Sequence, residues 1–428
     1  MMGLGSSFTA LALGYAQRLR RENAGAVAAW GDSLTAGAGA SAPPANYPAM
    51  AAASHTPPRD VANLGVGGQS STQVAARQGG VPITVTVEDN EIPARFGAEW
   101  DFTAGLGRWK SRKAANPPAT IYADTATGKL VIEAIGTSQS GAQVWLDETF
   151  QSGRRLTVTF ELDLGGAPWI EVGLTDSYAE EAATGGWAAV QPVSSSGTHS
   201  VTLEVGSANA SIATSLLFMA HVRVGTIRIS NVTVSEEPAL AVLSKSTNIL
   251  YDSGLYTGSA AGTLAGVHGV METDAAGNWT FTRSLAGPAV AAPAGTTFIP
   301  DSAVTYADRT AWIWVGRNNF SQTAQVQSDI AAMVNHLDHD RVRIGAILTS
   351  AADSASAVSN IEGLNADLAT TYGAKFVDLL GALKAAGNGS PEDNADIANG
   401  YVPRSLRSDD VHLNDSGYEI VASAFSSS

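Results

Sequence analysis

Ala26-Val27-Ala28-Ala29-Trp30 runs without a break into Gly31-Asp32-Ser33-Leu34. Five apolar residues in a row, with no polar alternation, read as a strand buried on both faces. The Gly-Asp-Ser that follows reads as a turn from that strand into a helix. A strand covered on both sides implies a parallel sheet with helices packed against each face.

The same pattern continues outward. Arg59 to Val66 reads as a second strand ending in Gly65-Val66-Gly67-Gly68, and a helix is expected from Ser71 to Arg77. Far downstream, Ala311-Trp312-Ile313-Trp314-Val315 is a third strand, Val342 to Leu348 a fourth and Lys375 to Leu379 a fifth. Gln322 to Leu337 and Val358 to Tyr372 carry apolar residues at helical spacing. Asn414 to Phe425 closes the chain as a helix, with Asn414 or Asp415 as its cap. The expected fold is therefore α/β over residues 1–78 and 302–428, one discontinuous domain. Ligands of such sheets bind beyond the carboxyl ends of the strands.

Residues 79–301 have a different character. Ile83-Thr84-Val85-Thr86-Val87, Leu156-Thr157-Val158-Thr159-Phe160, Val201-Thr202-Leu203-Glu204-Val205 and Ile227 to Val234 alternate with period two. An antiparallel β-sandwich is expected over 96–237. Residues 79–95 and 238–301 are expected to pair as a smaller β subdomain, so that the sandwich is nested within it.

Bulk properties narrow the function. At 428 residues, two or more folding units are expected. The formal net charge of −15 opposes a phosphate backbone or an anionic membrane, so neither nucleic acid nor membrane is expected as a partner. With no cysteine, a thiol nucleophile, thiolate metal sites and disulfides are excluded. No apolar run is long enough to span a bilayer. Met1 to Ala16 is mildly apolar, but the basic cluster Arg18-Leu19-Arg20-Arg21 follows it, the wrong order for a secretory signal; a helix leading into the first strand is expected there. The compartment stays open.

Four segments carry chemistry: Gly31-Asp32-Ser33-Leu34, Asn63-Leu64-Gly65-Val66-Gly67-Gly68-Gln69, Gly316-Arg317-Asn318-Asn319 and Asp409-Asp410-Val411-His412. Each follows an expected strand or precedes the last helix. A serine hydroxyl needs a base in hydrogen-bond reach, which histidine supplies near neutrality. An acid must hold the imidazole in one tautomer, and N–H donors must meet the oxyanion. Ser33 is the candidate nucleophile, His412 the base and Asp409 its orienting acid. The Ser33 amide, a glycine amide after the second strand and the Asn318 side chain are the candidate oxyanion donors.

These blocks resemble, in order, those of the SGNH hydrolases, the GDSL esterases and lipases. The resemblance implies a flavodoxin-like α/β/α sandwich with a parallel sheet, interrupted here by an all-β insertion containing a jelly-roll-like sandwich. It places the nucleophile at Ser33, the catalytic pair at Asp409 and His412, and the oxyanion hole at Ser33, Gly68 and Asn318, with Gly67 as the neighbouring alternative to Gly68. It implies no metal and no organic cofactor. The third block departs from the family's Gly-x-Asn-Asp, since Asn319 replaces the aspartate. Asp410 adjoins Asp409 and competes for the orienting role, though the spacing favours Asp409.

The expected activity is hydrolysis of a carboxylic ester through an acyl-enzyme. The expected substrate carries a short acyl group, such as acetyl on a polysaccharide. The rivals are an SGNH lipase or thioesterase on longer chains, and a non-catalytic glycan-binding tail or surface component. His336 and His339 beside Asp338 and Asp340 read as a solvated helix end rather than a metal site. Gly65-Val66-Gly67-Gly68 has no following lysine, so a phosphate loop is a poor reading. Trp100, Trp109, Trp145, Trp169 and Trp187 read mainly as core, with stacking on sugar rings as the functional alternative. Trp100-Asp101-Phe102-Thr103 followed by a sandwich loosely resembles carbohydrate-binding and phage-tail accessory modules.

Overall fold

The computed structural model describes residues 25–113, 120–136, 140–177, 186–220, 223–236, 240–254 and 258–427. The expected helix over Met1 to Ala16 and the basic cluster after it lie outside the described residues. The chain divides into two compact units. One takes in the described residues up to Asn90, Ala241–Phe281 and those from Ala292 onward; the other is Glu91–Leu240 with Thr282–Ala291.

The first unit contains a five-stranded parallel sheet. Its strand order is Val61–Gly65, Val27–Gly31, Thr310–Trp314, Val342–Gly345 and Phe376–Val377. Alternate residues of one strand enter two different cores, which explains the unbroken apolar run. Val27 and Ala29 pack with Tyr47, Trp312, Trp314, Leu383, Tyr418 and Phe425. Ala28 and Trp30 pack on the opposite face with Val74, Ile313, Ile330, Met333 and Ile361. Helices Tyr47–Ala53, Leu379–Ala385 and Asp415–Ser427 supply the first core; Ser71–Gln78, Thr323–His336 and Ala355–Tyr372 supply the second. Trp312 is 1% exposed, so Trp312→Ala is expected to cost about 3–5 kcal/mol.

Register sets where the loops emerge. Gly31 lies opposite both Gly65 and Trp314. The turns that follow these strands therefore leave the same edge of the sheet side by side. Close packing requires small residues there: a Cβ on Gly65 would fall 2.0 Å from Ala36 N, and one on Gly31 2.6 Å from Trp314 O.

A closed six-stranded barrel, nearly all of it in the first unit, runs in the order Leu240–Lys245, Trp279–Arg283, Val267–Thr273, Gly258–Leu264, Thr296–Pro300 and Ile83–Val87. Ile83, Val85 and Val87 are buried while Thr84 and Thr86 are not, as period-two patterning requires. The second unit is a sandwich of two antiparallel sheets. One contains Gly197–Glu204, Arg155–Asp163, Arg223–Glu236, Lys129–Gly136 and Thr120–Asp124, with Gly97–Trp100 also paired to Arg223–Glu236. The other runs Trp187–Val193, Ile170–Thr175, Ile212–Ala220, Ser140–Gln151 and Lys110–Lys113. Phe150, Phe160, Val172, Leu216, Phe218 and Ile229 fill the space between them.

The expected fold class needs correction. The protein is not an α/β chain of the flavodoxin-like α/β/α class with an insertion attached. Strand accounts for 39% of the described residues and helix for 27%, so they form a mostly β structure built on antiparallel sheets and a barrel. The parallel sheet is one component among these. The sequence reading took the class of the chain from its two end segments, although it read residues 79–301 as β. Helices were missed as well: Tyr47–Ala53, Leu379–Ala385 and Pro391–Ala398. The expected fifth strand stops at Val377, because Asp378 caps the next helix by accepting from Gly381 N at 2.9 Å.

Candidate active site

Ser33 opens the four-residue helix Ser33–Ala36 directly after the first strand. Asp32 is its cap and accepts from Leu34 N at 3.0 Å. Asp32 is 1% exposed. Burial raises its carboxyl to about 6, and the Leu34 amide and the nearby His412 and Arg317 side chains only partly offset that.

His412 reaches Ser33 from the loop before the last helix. Its Nε2 is 2.9 Å from Ser33 Oγ, and its Nδ1 is 2.8 Å from Asp409 Oδ2. An ionised carboxylate can only accept, so Nδ1 carries the hydrogen. In the neutral ring Nε2 is then the acceptor, and the Ser33 hydroxyl donates to it. The other Asp409 oxygen accepts from Val411 N at 2.7 Å and His412 N at 2.6 Å. Partial burial works against the Asp409 charge, but those amides and the imidazole together hold its carboxyl below the usual range. Asp410 does not compete: its carboxylate lies 3.7 Å from Arg407 Nη1 and its carbonyl accepts from Ala351 N.

The loop carrying Asp409 and His412 is braced from below. Asp396, 5% exposed, binds Arg404 and Arg407, and Arg407 in turn donates to Val402 O. Asp393, 0% exposed, accepts from Ser405 Oγ and Asn388 N. Ser408 N donates to His412 O at 2.9 Å.

The candidate oxyanion donors sit on the neighbouring turns. Gly68 has φ +72, the left-handed region that glycine enters at no cost. Asn318 donates one Nδ2 hydrogen to Gln69 O at 2.9 Å, which leaves it a second. Neither Gly68 nor Asn318 is hydrogen-bonded to Ser33 or His412. Gly67 O accepts from Ser253 N at 2.8 Å.

Asn319 has a role that the sequence reading missed. It is 9% exposed and grips Ser71 at both ends. Its Oδ1 accepts from Ser71 N at 3.0 Å, and its Nδ2 donates to Ser71 Oγ at 2.9 Å. Ser71 Oγ passes its own hydrogen to Asp329 at 2.6 Å. With that hydrogen committed to a carboxylate, position 319 has to be a donor toward Ser71. This is why an amide stands there. Gln69 and Arg77 were missed too. Gln69 is fully buried, and its Oε1 accepts from Arg77 Nε at 2.7 Å. Arg77 also donates to Leu64 O at 3.0 Å. The Ser70 and Gln73 capping box was the one local signal near them.

The metal reading has little around it. His339 Nε2 lies 3.1 Å from Ala307 O, and among the described residues no group of three or more histidines or carboxylates is arranged to hold an ion. No helix among the described residues is long and apolar enough to cross a membrane.

No family model matches the chain, and no curated protein matches it. Among solved structures, the BiXyn10A CBM1 apo structure is 13% identical at TM-score 0.25, covering 34% of this chain and 99% of that one. The enzymatically active domain of bacteriophage CBA120 tailspike protein 4 is 13% identical at TM-score 0.23, covering 31% of this chain and 20% of that one. The Clostridium thermocellum xylanase 10B CBM22-1-GH10 modules are 12% identical at TM-score 0.24, covering 34% of this chain and 29% of theirs. These likenesses are partial, and no function follows from them.

Proposed function

We propose that the protein hydrolyses carboxylic esters through an acyl-enzyme on Ser33. The observation that carries this reading is the unbroken hydrogen-bonded chain from Asp409 through His412 to Ser33, at 2.8 and 2.9 Å. The motif resemblance to SGNH hydrolases is kept as part of the proposal for the site, not for the fold of the chain.

Ser33 Oγ bonds to the carbonyl carbon as its proton passes to His412 Nε2. The carbonyl π pair moves onto oxygen, where the Ser33 and Gly68 amides and the Asn318 side chain meet it. Asp409 stabilises the imidazolium. Collapse breaks the bond to the alcohol oxygen, which takes the proton from Nε2. Water then repeats the sequence on the acyl-enzyme, releasing the acid and restoring Ser33. Protons and electrons balance at each step with no cofactor.

A short acyl group on a polysaccharide is the proposed substrate. Trp145, on the sandwich, is 41% exposed, and the Arg108 guanidinium stacks 5.0 Å from its ring centre. An exposed, braced indole is a fitting platform for a sugar ring. By contrast Trp109, at 3% exposure, belongs to the core. The same indole favours the second reading, a glycan-binding component with no turnover.

Wild type and Ser33→Ala on p-nitrophenyl acetate separate the two readings. Hydrolysis by wild type alone is expected. Equal rates would leave only the binding reading, which Trp145→Ala would then test through retardation in acetylated-polysaccharide gels.

A further inference from the structure

Residues 248–253, which follow barrel strand Leu240–Lys245, run against the turn that carries Gly68. Ser253 N donates to Gly67 O at 2.8 Å. Gln69 Nε2 donates to Ile249 O at 3.1 Å and to Tyr251 O at 2.9 Å. Gln73 Nε2 donates to Asn248 O at 2.7 Å. Side chains added on the turn would press on this segment. A Cβ on Gly67 would lie 2.0 Å from Ser253 Oγ, and one on Gly68 2.9 Å from Tyr251 Cε1.

This segment is firmly held. Ile249 and Leu250 are 4% and 7% exposed and anchor it from beneath. Gln69, which binds its carbonyls, is fixed in turn by Arg77, and Arg77 is tied to Leu64 O at the end of a sheet strand. The Tyr251 ring is half-buried, and its Cε1 lies 2.9 Å from where a Cβ on Gly68 would stand. A rigid aromatic wall selects by volume, and each extra methylene against such a wall changes kcat/KM by roughly 10- to 200-fold.

We infer that Tyr251 is the wall that limits acyl length, so that the barrel is a specificity element of the Ser33 site. The inference rests on the ester-hydrolase reading above. If the Gly68 amide meets the carbonyl oxygen, the acyl group on that carbonyl extends beside the ring. An acetyl group clears the ring, and a longer chain is turned back by it.

The test compares kcat/KM on p-nitrophenyl acetate, butyrate and hexanoate for wild type, Tyr251→Ala, Tyr251→Leu and Tyr251→Phe. Thermal melting checks that each variant folds, and the leucine variant keeps apolar bulk should alanine destabilise the loop. The hexanoate-to-acetate ratio is expected to rise about tenfold or more in the alanine variant, less in the leucine variant, and not at all in the phenylalanine variant. An active wild type whose ratio is unchanged in folded Tyr251→Ala and Tyr251→Leu overturns the wall and leaves the hydrolase reading standing. Wild type no faster than Ser33→Ala on every ester overturns both.

Discussion

His412 Nε2 and Ser33 Oγ lie 2.9 Å apart although the two residues are 379 positions apart in the chain. Their contact depends on Asp409 holding the ring in one tautomer. In Asp409→Asn, the amide can present a hydrogen to Nδ1 and so favour the wrong tautomer. A fall in kcat of about 10³- to 10⁴-fold is expected, with little change in stability. Ester hydrolysis alongside thermal melting checks it, and a folded variant with wild-type kcat would remove Asp409 from the mechanism.

The Asn319 amide is expected to resist replacement by the carboxylate that it resembles. Asn319→Asp would set an oxygen against Ser71 Oγ, whose hydrogen already goes to Asp329. The cost is about 1–3 kcal/mol at neutral pH, that of an unmade buried hydrogen bond. Adding Asp329→Asn should restore part of it. Urea denaturation of the two variants tests this, and Asn319→Asp as stable as wild type would dismiss the explanation of why an amide stands there.

Asp32 gives a pH signature. Its folded carboxyl is raised to about 6 from 3.8. A raised value means that its contribution is fully present below pH 3.8 and is lost as pH rises through about 6. The unfolding free energy of wild type relative to Asp32→Asn should therefore decline across that window by about 3 kcal/mol and level off above it. Asparagine keeps the acceptor for Leu34 N, which makes the subtraction clean. A pH-independent difference would mean that Asp32 ionises normally.

Gln69 is expected to act on rate rather than on binding. Gln69→Leu would remove the donor to the Ile249 and Tyr251 carbonyls and the acceptor for Arg77 Nε. The Gly68 turn would lose its fixed position, and kcat is expected to drop about tenfold or more with KM nearly unchanged. A rise in KM at constant kcat would instead assign Gln69 to ground-state binding.

Parts of this arrangement could be read in the sequence because they are local. The apolar run of Val27 to Trp30 signals burial on both faces, and the alternation of Ile83 to Val87 signals a half-buried strand. The three-residue step from Asp409 to His412 fits within one turn, so its hydrogen bond needs no long-range information. Other parts are not local. Arg77 meets Leu64 and Gln69 meets Tyr251 only after the sheet and barrel have formed, and no pattern along the chain announces either contact. The fold class failed because it was taken from the two α/β end segments, although residues 79–301 read as β; individual strands within that region were missed for a related reason. Short strands such as Lys110–Lys113 and Thr120–Asp124 acquire meaning only through their partners, while a helix such as Ala355–Tyr372 displays its periodicity unaided.

Treatment with a fluorophosphonate followed by peptide mass mapping tests the central claim most directly. One adduct is expected, on the peptide containing Ser33, absent from Ser33→Ala and strongly slowed in His412→Ala. An unmodified Ser33 in folded protein, whether no serine reacts or a different one does, would contradict the assignment.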